Sequence, residues 1–266
     1  MLDIQLISIC LGLFVGLILA LTGAGGSILA IPILMFSLHL NMNQAAPIAL
    51  LAVMLAATVS TIQGLRKGIV RYKTALLIAS FGIAFAPIGV WAAQQLPNQL
   101  LRYIFSTVVV YVAWHMWQQA KNVHMPNQNL PDMPCMINKV TSKLYWTALC
   151  TKRLVATGVI AGFTAGLLGI GGGFVIVPSL RKVSNFSMQT IIATSLMVIA
   201  LVSAVSVYSY SLTTPMLWKI ALPFVLSTIF GLFIFSHVNH KVPARVSQRG
   251  FALLVLLAAV LLVFKT

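Results

Sequence analysis

The chain has 266 residues, of which 60% are hydrophobic and 7% charged, against about 25% charged in ordinary soluble domains. No water-soluble fold of this size hides so much apolar surface, whereas a bilayer accepts helices that satisfy their own backbone hydrogen bonds. Lys and Arg number 17 against two acids, Asp3 and Asp132, but the bases sit in short clusters between apolar runs. That is the pattern of cytoplasmic loops facing anionic lipid, and it excludes nucleic acid as a partner.

A spanning helix needs roughly 20 apolar residues. In chain order the predicted segments are 4–22 continuing through a break to 36, then 44–64, 74–95, 101–120, 154–180, 187–209, 216–236 and 246–264. The first is no signal peptide: it lacks a basic start and runs straight into further apolar sequence. Residues 121–151 are polar, carry Pro126, Pro131 and Pro134, and read as an extramembrane linker with a short amphipathic piece around Lys139–Trp146. Cys10, Cys135 and Cys150 are odd in number and lack metal-ligand spacing, so neither a disulfide framework nor a metal site is expected.

Self-comparison exposes a repeat. Residues 12–32 read GLFVGLILALTGAGGSILAIP and residues 158–178 read GVIAGFTAGLLGIGGGFVIVP. A shift of 146 pairs Gly12 with Gly158, Gly16 with Gly162, Leu21 with Leu167, Gly23 with Gly169, Gly25 with Gly171, Gly26 with Gly172 and Pro32 with Pro178. Pro97 and Pro243 match at the same offset, and Gln44 and Gln189 match one residue out. The expected fold is therefore all-α and integral to the membrane. It holds about eight transmembrane helices in two homologous four-segment repeats, 1–120 and 152–266, each opening on a broken helix. With eight simple crossings, nine bases in 64–73 and 121–153 share one side and Arg181, Lys182, Lys241, Arg245 and Arg249 fall on the other. That conflict disappears if the repeats are inverted and the broken helix doubles back or crosses as two pieces.

Gly23-Ala24-Gly25-Gly26-Ser27 and Gly169-Ile170-Gly171-Gly172-Gly173 lie inside long apolar runs. A helical glycine costs about 1 kcal/mol relative to alanine, so three in close succession favour unwinding. Unwound backbone at membrane depth must face protein or a water-filled cavity. A helix restarting at Ser27 or Phe174 presents free amides and a positive dipole end, so two breaks facing each other would make an anion site without charged side chains. The sparser Gly-xxx-Gly pairs at 12/16, 158/162 and 162/166 fit close helix packing instead. Thr22, Ser27, Gln44, Gln189, Thr194 and Ser195 are candidate additional donors, although hydroxyls in membrane helices often bond their own turn. The expected substrate-binding set is thus Thr22, Gly23, Gly25, Gly26, Ser27, Gln44, Gly169, Gly171, Gly172, Gly173, Gln189, Thr194 and Ser195.

No predicted span holds an acid, which disfavours a carboxylate proton relay. His115 fits an aromatic-belt position, and His237 and His240 fit an interfacial loop. No HExxH, Ser-His-Asp set or carboxylate pair exists, so catalysis lacks its usual parts and no cofactor is expected.

At these motifs the sequence resembles the TauE/SafE, or sulfite exporter, family over nearly its whole length. The marks are G-x-x-x-G leading to T-G-A-G-G-S and Pro32, repeated as G-x-x-x-G leading to L-G-I-G-G-G and Pro178, with Ala-Thr-Ser-Leu at 193–196. The matching first-half stretch, Ala-Leu-Leu at 49–51, lacks the Thr-Ser pair. The resemblance implies a multi-pass permease of the cytoplasmic (inner) membrane for small sulfur-containing anions such as sulfite or organosulfonates. Its partners are the substrate and the lipid bilayer, with room for a homodimer. The competing reading is a non-transporting membrane scaffold or assembly factor, which predicts dispersed packing glycines rather than two matched clusters.

Overall fold

A computed structural model describes residues 2–22, 26–121, 135, 147–238, 250, 254–256 and 258. Among them the chain is helical: α1 (Leu2–Thr22), α2 (Ser27–Ser37), α3 (Met42–Arg66), α4 (Tyr72–Gln95), α5 (Asn98–Lys121), α6 (Ala148–Leu168), α7 (Gly173–Val183), α8 (Met188–Ser211) and α9 (Trp218–Val238). The described residues between 250 and 258 are also helical, where the segment 246–264 was expected. The amphipathic piece at 139–146 lies outside the described residues. So do Lys241, Arg245, Arg249 and His240, and the side chains of His115 and His237.

Local chemistry fixes where the helices start. The Thr147 hydroxyl accepts from the Cys150 amide at 3.1 Å and the Ser187 hydroxyl from the Thr190 amide at 3.3 Å, each an N-cap worth about 1 kcal/mol. Four helices, α3, α4, α6 and α8, are long and apolar enough to cross a membrane. The segment expected over 154–180 breaks into α6 and α7 at residues 169–172, within its glycine cluster.

Helices α1 to α4 begin at residues 2, 27, 42 and 72, and α6 to α9 begin at 148, 173, 188 and 218, each 146 residues later. Between hydrocarbon tails, apolar side chains gain little by leaving lipid for protein, so small residues that let backbones approach decide which helices meet. Helix α6 lies along α4: a Cβ on Gly158, Gly162 or Gly166 would run into the carbonyl oxygens of Ile78, Gly82 and Ala86 respectively. The residue numbers rise together, so the two helices are parallel. Helix α1 lies along α9 in the same way, Gly12 against Phe224 and Gly16 against Thr228. Each half thus opens on a helix seated against the fourth helix of the other half.

Helices α3 and α8 run antiparallel through the middle. Gly64 near the end of α3 meets Ala193 near the start of α8. The Arg71 amide, just past α3, donates to Thr194 Oγ1 at 3.1 Å.

Helix α7 returns along α6. The Cys135 amide donates to the Val183 carbonyl at 3.2 Å, and Cys135 is disulfide-bonded to Cys150, with a Cα–Cα distance of 5.2 Å. The start of α6 and the end of α7 are therefore at the same end of the bundle. This disulfide corrects the sequence expectation: an odd cysteine count hides a pair when the third, Cys10, stands free and exposed on α1.

The returning α7 is the doubling back that the basic clusters call for, one of the two alternatives open from the sequence. Arg66, Lys67, Arg71, Lys73, Lys121, Lys152, Arg153, Arg181 and Lys182 gather at one end of the bundle. Among the described residues only Arg102 and Lys219 sit toward the other.

Candidate functional site

The second break is described in full. Helix α6 ends on Gly169, a left-handed cap with φ 72° whose amide donates to the Ala165 carbonyl at 2.9 Å. Buried Ile170 follows, and then Gly171 and Gly172 with φ 73° and 71°. Two consecutive left-handed residues are a conformation that side-chain-bearing residues rarely hold. Space imposes the same requirement. A Cβ on Gly172 would lie 2.7 Å from the Ala161 carbonyl oxygen, and one on Gly171 would lie 3.2–3.3 Å from Ser203 Oγ, Ile199 Cγ2 and Val53 Cγ1. Helix α7 then begins at Gly173, itself buried, one residue before the expected restart.

Depth follows from register. Val53 is the twelfth of 25 residues in α3, and Ile199 the twelfth of 24 in α8. Gly171 touches both, so the break lies at the middle of the two central helices. Its walls come from both halves: Ile31 of α2 and Ala46 of α3 close on Gly169, and Val53 of α3 closes on Gly171.

The electrostatics are those of bare backbone. Among the described residues, the amides of Ile170, Gly171 and Gly172 donate to no backbone carbonyl, while the Gly172 carbonyl accepts from Val175 and Ile176 as α7 begins. No described group of three or more His, Cys, Asp or Glu could hold a metal ion. What the arrangement can do chemically is offer N–H donors and the positive end of α7 at mid-depth, which suits an anion.

The first break is described in part. Thr22 closes α1 and Ser27 opens α2, but the side chains of both lie outside the described residues, as do Gly23 and Gly25. Gly26 precedes α2 in a right-handed conformation, φ −59° and ψ −22°, packed on Leu19.

The other expected donors stand elsewhere. Gln44 caps α3: its Oε1 accepts from the Asn41 amide at 3.3 Å. Gln189 is exposed in the first turn of α8, roughly 20 Å along the helix from Ser203 at 1.5 Å per residue. Buried Thr194 accepts from Arg71, and buried Ser195 donates to the Ile192 carbonyl at 2.8 Å, so both hold the loop and helix end rather than the break.

One residue at the break is absent from the set expected from sequence. Ser203 is fully buried, faces Gly171, and its Oγ has no hydrogen-bond partner among the described residues. Its sequence signal is faint: it lies eight residues beyond Ser195 on α8, and the position 146 earlier is Ala57.

Comparison with known proteins finds a membrane transporter family. Residues 8–262 match the family described as Sulfite exporter TauE/SafE. A probable membrane transporter protein of Xylella fastidiosa (strain 9a5c) is 25% identical over 98% of this chain and 95% of its own length. The probable membrane transporter protein YunE of Bacillus subtilis (strain 168) is 25% identical, covering 90% of each chain. The probable membrane transporter protein MJ0441 of Methanocaldococcus jannaschii is 25% identical over 88% of this chain and 87% of its own. No solved structure matches the chain significantly. With a family match spanning nearly all of its residues, glycine breaks included, the chain belongs to the TauE/SafE sulfite exporter family.

Proposed function

We propose that this protein is a multi-pass permease of the cytoplasmic membrane that moves small sulfur-containing anions, sulfite or organosulfonates, and is not an enzyme. The relatives above are named as probable membrane transporters, and the family description names sulfite. The observation that carries the reading is the second break: at mid-depth, beside the start of α7, the amides of Ile170, Gly171 and Gly172 donate to no backbone carbonyl among the described residues. In this reading Gly169, Gly171, Gly172 and Gly173 hold the anion from one half, and Gly23, Gly25, Gly26, Ser27 and Thr22 hold it from the other.

The two breaks belong to inverted repeats. The uniform 146-residue offset of eight helices, the antiparallel α3 and α8, and the parallel exchange of α1 and α6 onto α9 and α4 all support that symmetry. The gathering of nine described basic residues at one end supports placing that end, with the 121–151 linker, in the cytoplasm. The start of α1 then lies outside.

The test is efflux from proteoliposomes loaded with sulfite or a panel of sulfonates, with Gly25→Leu and Gly171→Leu in parallel. Efflux by the wild-type protein and its loss in both variants, at unchanged folded yield, is expected. Efflux unaffected by either substitution overturns the assignment of the breaks, and a wild-type protein silent toward every sulfur anion overturns the substrate class.

A further inference from the structure

Many hydroxyls in the described membrane helices bond their own turn, and among the described residues Ser203 alone carries a hydroxyl oxygen that is fully buried and without any partner. Thr58, Ser60 and Thr61 on α3 donate to carbonyls one turn back, as do Ser195, Ser206 and Ser209 on α8 and Ser227 and Thr228 on α9. This back-bonding is the ordinary fate of a hydroxyl in lipid, because it removes an otherwise unsatisfied donor at no cost in contacts. Ser203 does not follow it. Its Oγ is buried and without a partner among the described residues, and it would lie 3.2 Å from a Cβ on Gly171. An unpaired buried hydroxyl costs about 1–3 kcal/mol.

The position of that hydroxyl is informative. It is at the sixteenth residue of a 24-residue helix, near the bilayer centre, directed at the left-handed backbone of Gly171. Among the described residues the amides of Gly171 and its neighbours Ile170 and Gly172 donate to no backbone carbonyl. The side chains beside the hydroxyl, Val53 and Ile199, are apolar, and it does not turn to the Ile199 carbonyl one turn back. The Ser203 hydroxyl and the amides of residues 170–172 are thus donors at one break for which no protein acceptor is described. The gap is narrow, since even a methyl on Gly171 would touch three side chains, so a ligand enters only when α3 or α8 draws back from the break.

We propose that Ser203 is a substrate-binding residue: its hydroxyl donates to an oxygen of the bound sulfur oxyanion while the Gly171 backbone carries the rest of the charge. This rests on the permease reading above and deepens it. It makes the site asymmetric, because the position 146 residues earlier is Ala57. Both breaks supply backbone donors, but only the second half adds this hydroxyl, opposite Val53 of the first half.

The test compares wild type, Ser203→Ala and Ser203→Thr in proteoliposomes, reading the half-saturating anion concentration separately from the maximal rate. Hydrogen bonds to charged groups predict a rise of at least roughly 10-fold in half-saturation for Ser203→Ala, with Ser203→Thr closer to wild type. A second readout uses Ser203→Cys in a Cys10→Ser background: thiol alkylation is expected to be slowed by a saturating organosulfonate. Wild-type half-saturation in Ser203→Ala, or a fall in maximal rate alone, overturns the assignment while leaving the permease intact. A changed sodium dependence with unchanged anion affinity also overturns it, assigning the hydroxyl to a cation. If Ser203→Ala fails to fold, the alkylation result decides. A wild-type protein that transports no sulfur anion removes the permease reading and this residue with it.

Discussion

The two central helices, α3 and α8, share a place in the fold and differ in chemistry. Both are capped at the start, both run through the middle, and each contacts the other half's elements. Yet Thr194, Ser195, Ser203 and Tyr210 on α8 stand where α3, 146 residues earlier, carries Ile48, Ala49, Ala57 and Gly64. Tyr210 is fully buried and donates to the Gly166 carbonyl at 3.0 Å, fastening α8 to the last turn of α6 before the break. Gly64 has no ring to fasten anything and instead lets Val70 and Ala193 pack close. One backbone plan has thus been filled in two ways: the hydroxyls of α3, Thr58, Ser60 and Thr61, bond their own turn, while α8 carries one that does not and a tyrosine that braces it to α6.

Five substitutions probe the differences between the halves, in falling order of effect. Gly162→Leu drives a side chain into the Gly82 backbone and is expected to abolish the folded protein, read as loss of the monodisperse peak in detergent chromatography. Its counterpart Gly16→Leu should do the same against Thr228, and a tolerated Gly16→Leu would show that the two helix clasps are not equivalent.

Cys150→Ser removes a staple closing a 15-residue separation and should lower stability by about 3 kcal/mol, read as a thermal shift that reductant reproduces in the wild type. The first half has no such staple, because Ile4 stands at the matching position. A wild-type protein indifferent to reductant would place the two halves on the same footing.

Tyr210→Phe deletes one buried hydrogen bond and leaves the Gly166 carbonyl to find another donor, a loss of about 1–3 kcal/mol. Chemical denaturation checks it, and an unchanged midpoint would mean α8 is braced by packing alone.

Ala57→Ser is the mildest, within about 0.5 kcal/mol of wild-type stability for a small hydroxyl able to bond its own turn. It gives α3 the group that α8 has. If asymmetry sets the site, it alters the half-saturating concentration without altering folded yield; an unchanged value would make the first break indifferent to hydroxyls.

The glycine breaks were legible in the sequence because three glycines crowded into an apolar run are hard to reconcile with a continuous helix. The direction of the chain after a break was not. Hydropathy reports length, and 154–180 is long enough to pass for one span, so only the contact of Cys135 with both Val183 and Cys150 reveals the return. Gln44 and Gln189 looked like donors near a site, yet a polar residue at a helix start is as readily a cap or a solvated end, which is where both stand. Ser203 was invisible for the opposite reason. A single serine in an apolar helix is normally satisfied by its own turn, and only coordinates distinguish the one that is not.

The exchange of first helices between halves has a consequence for biogenesis. Gly158, Gly162 and Gly166 find their partners on α4 only 80 residues back in the chain, so that clasp can close as soon as α6 enters the membrane. Gly12 and Gly16 meet backbone 212 residues downstream, on α9. At roughly 5–20 residues per second, α1 must wait roughly 10–40 s in the bilayer with its glycine face uncovered. The first helix made is therefore among the last to be seated, and a truncation before α9 leaves it exposed to whatever chaperone or protease surveys unfinished membrane proteins.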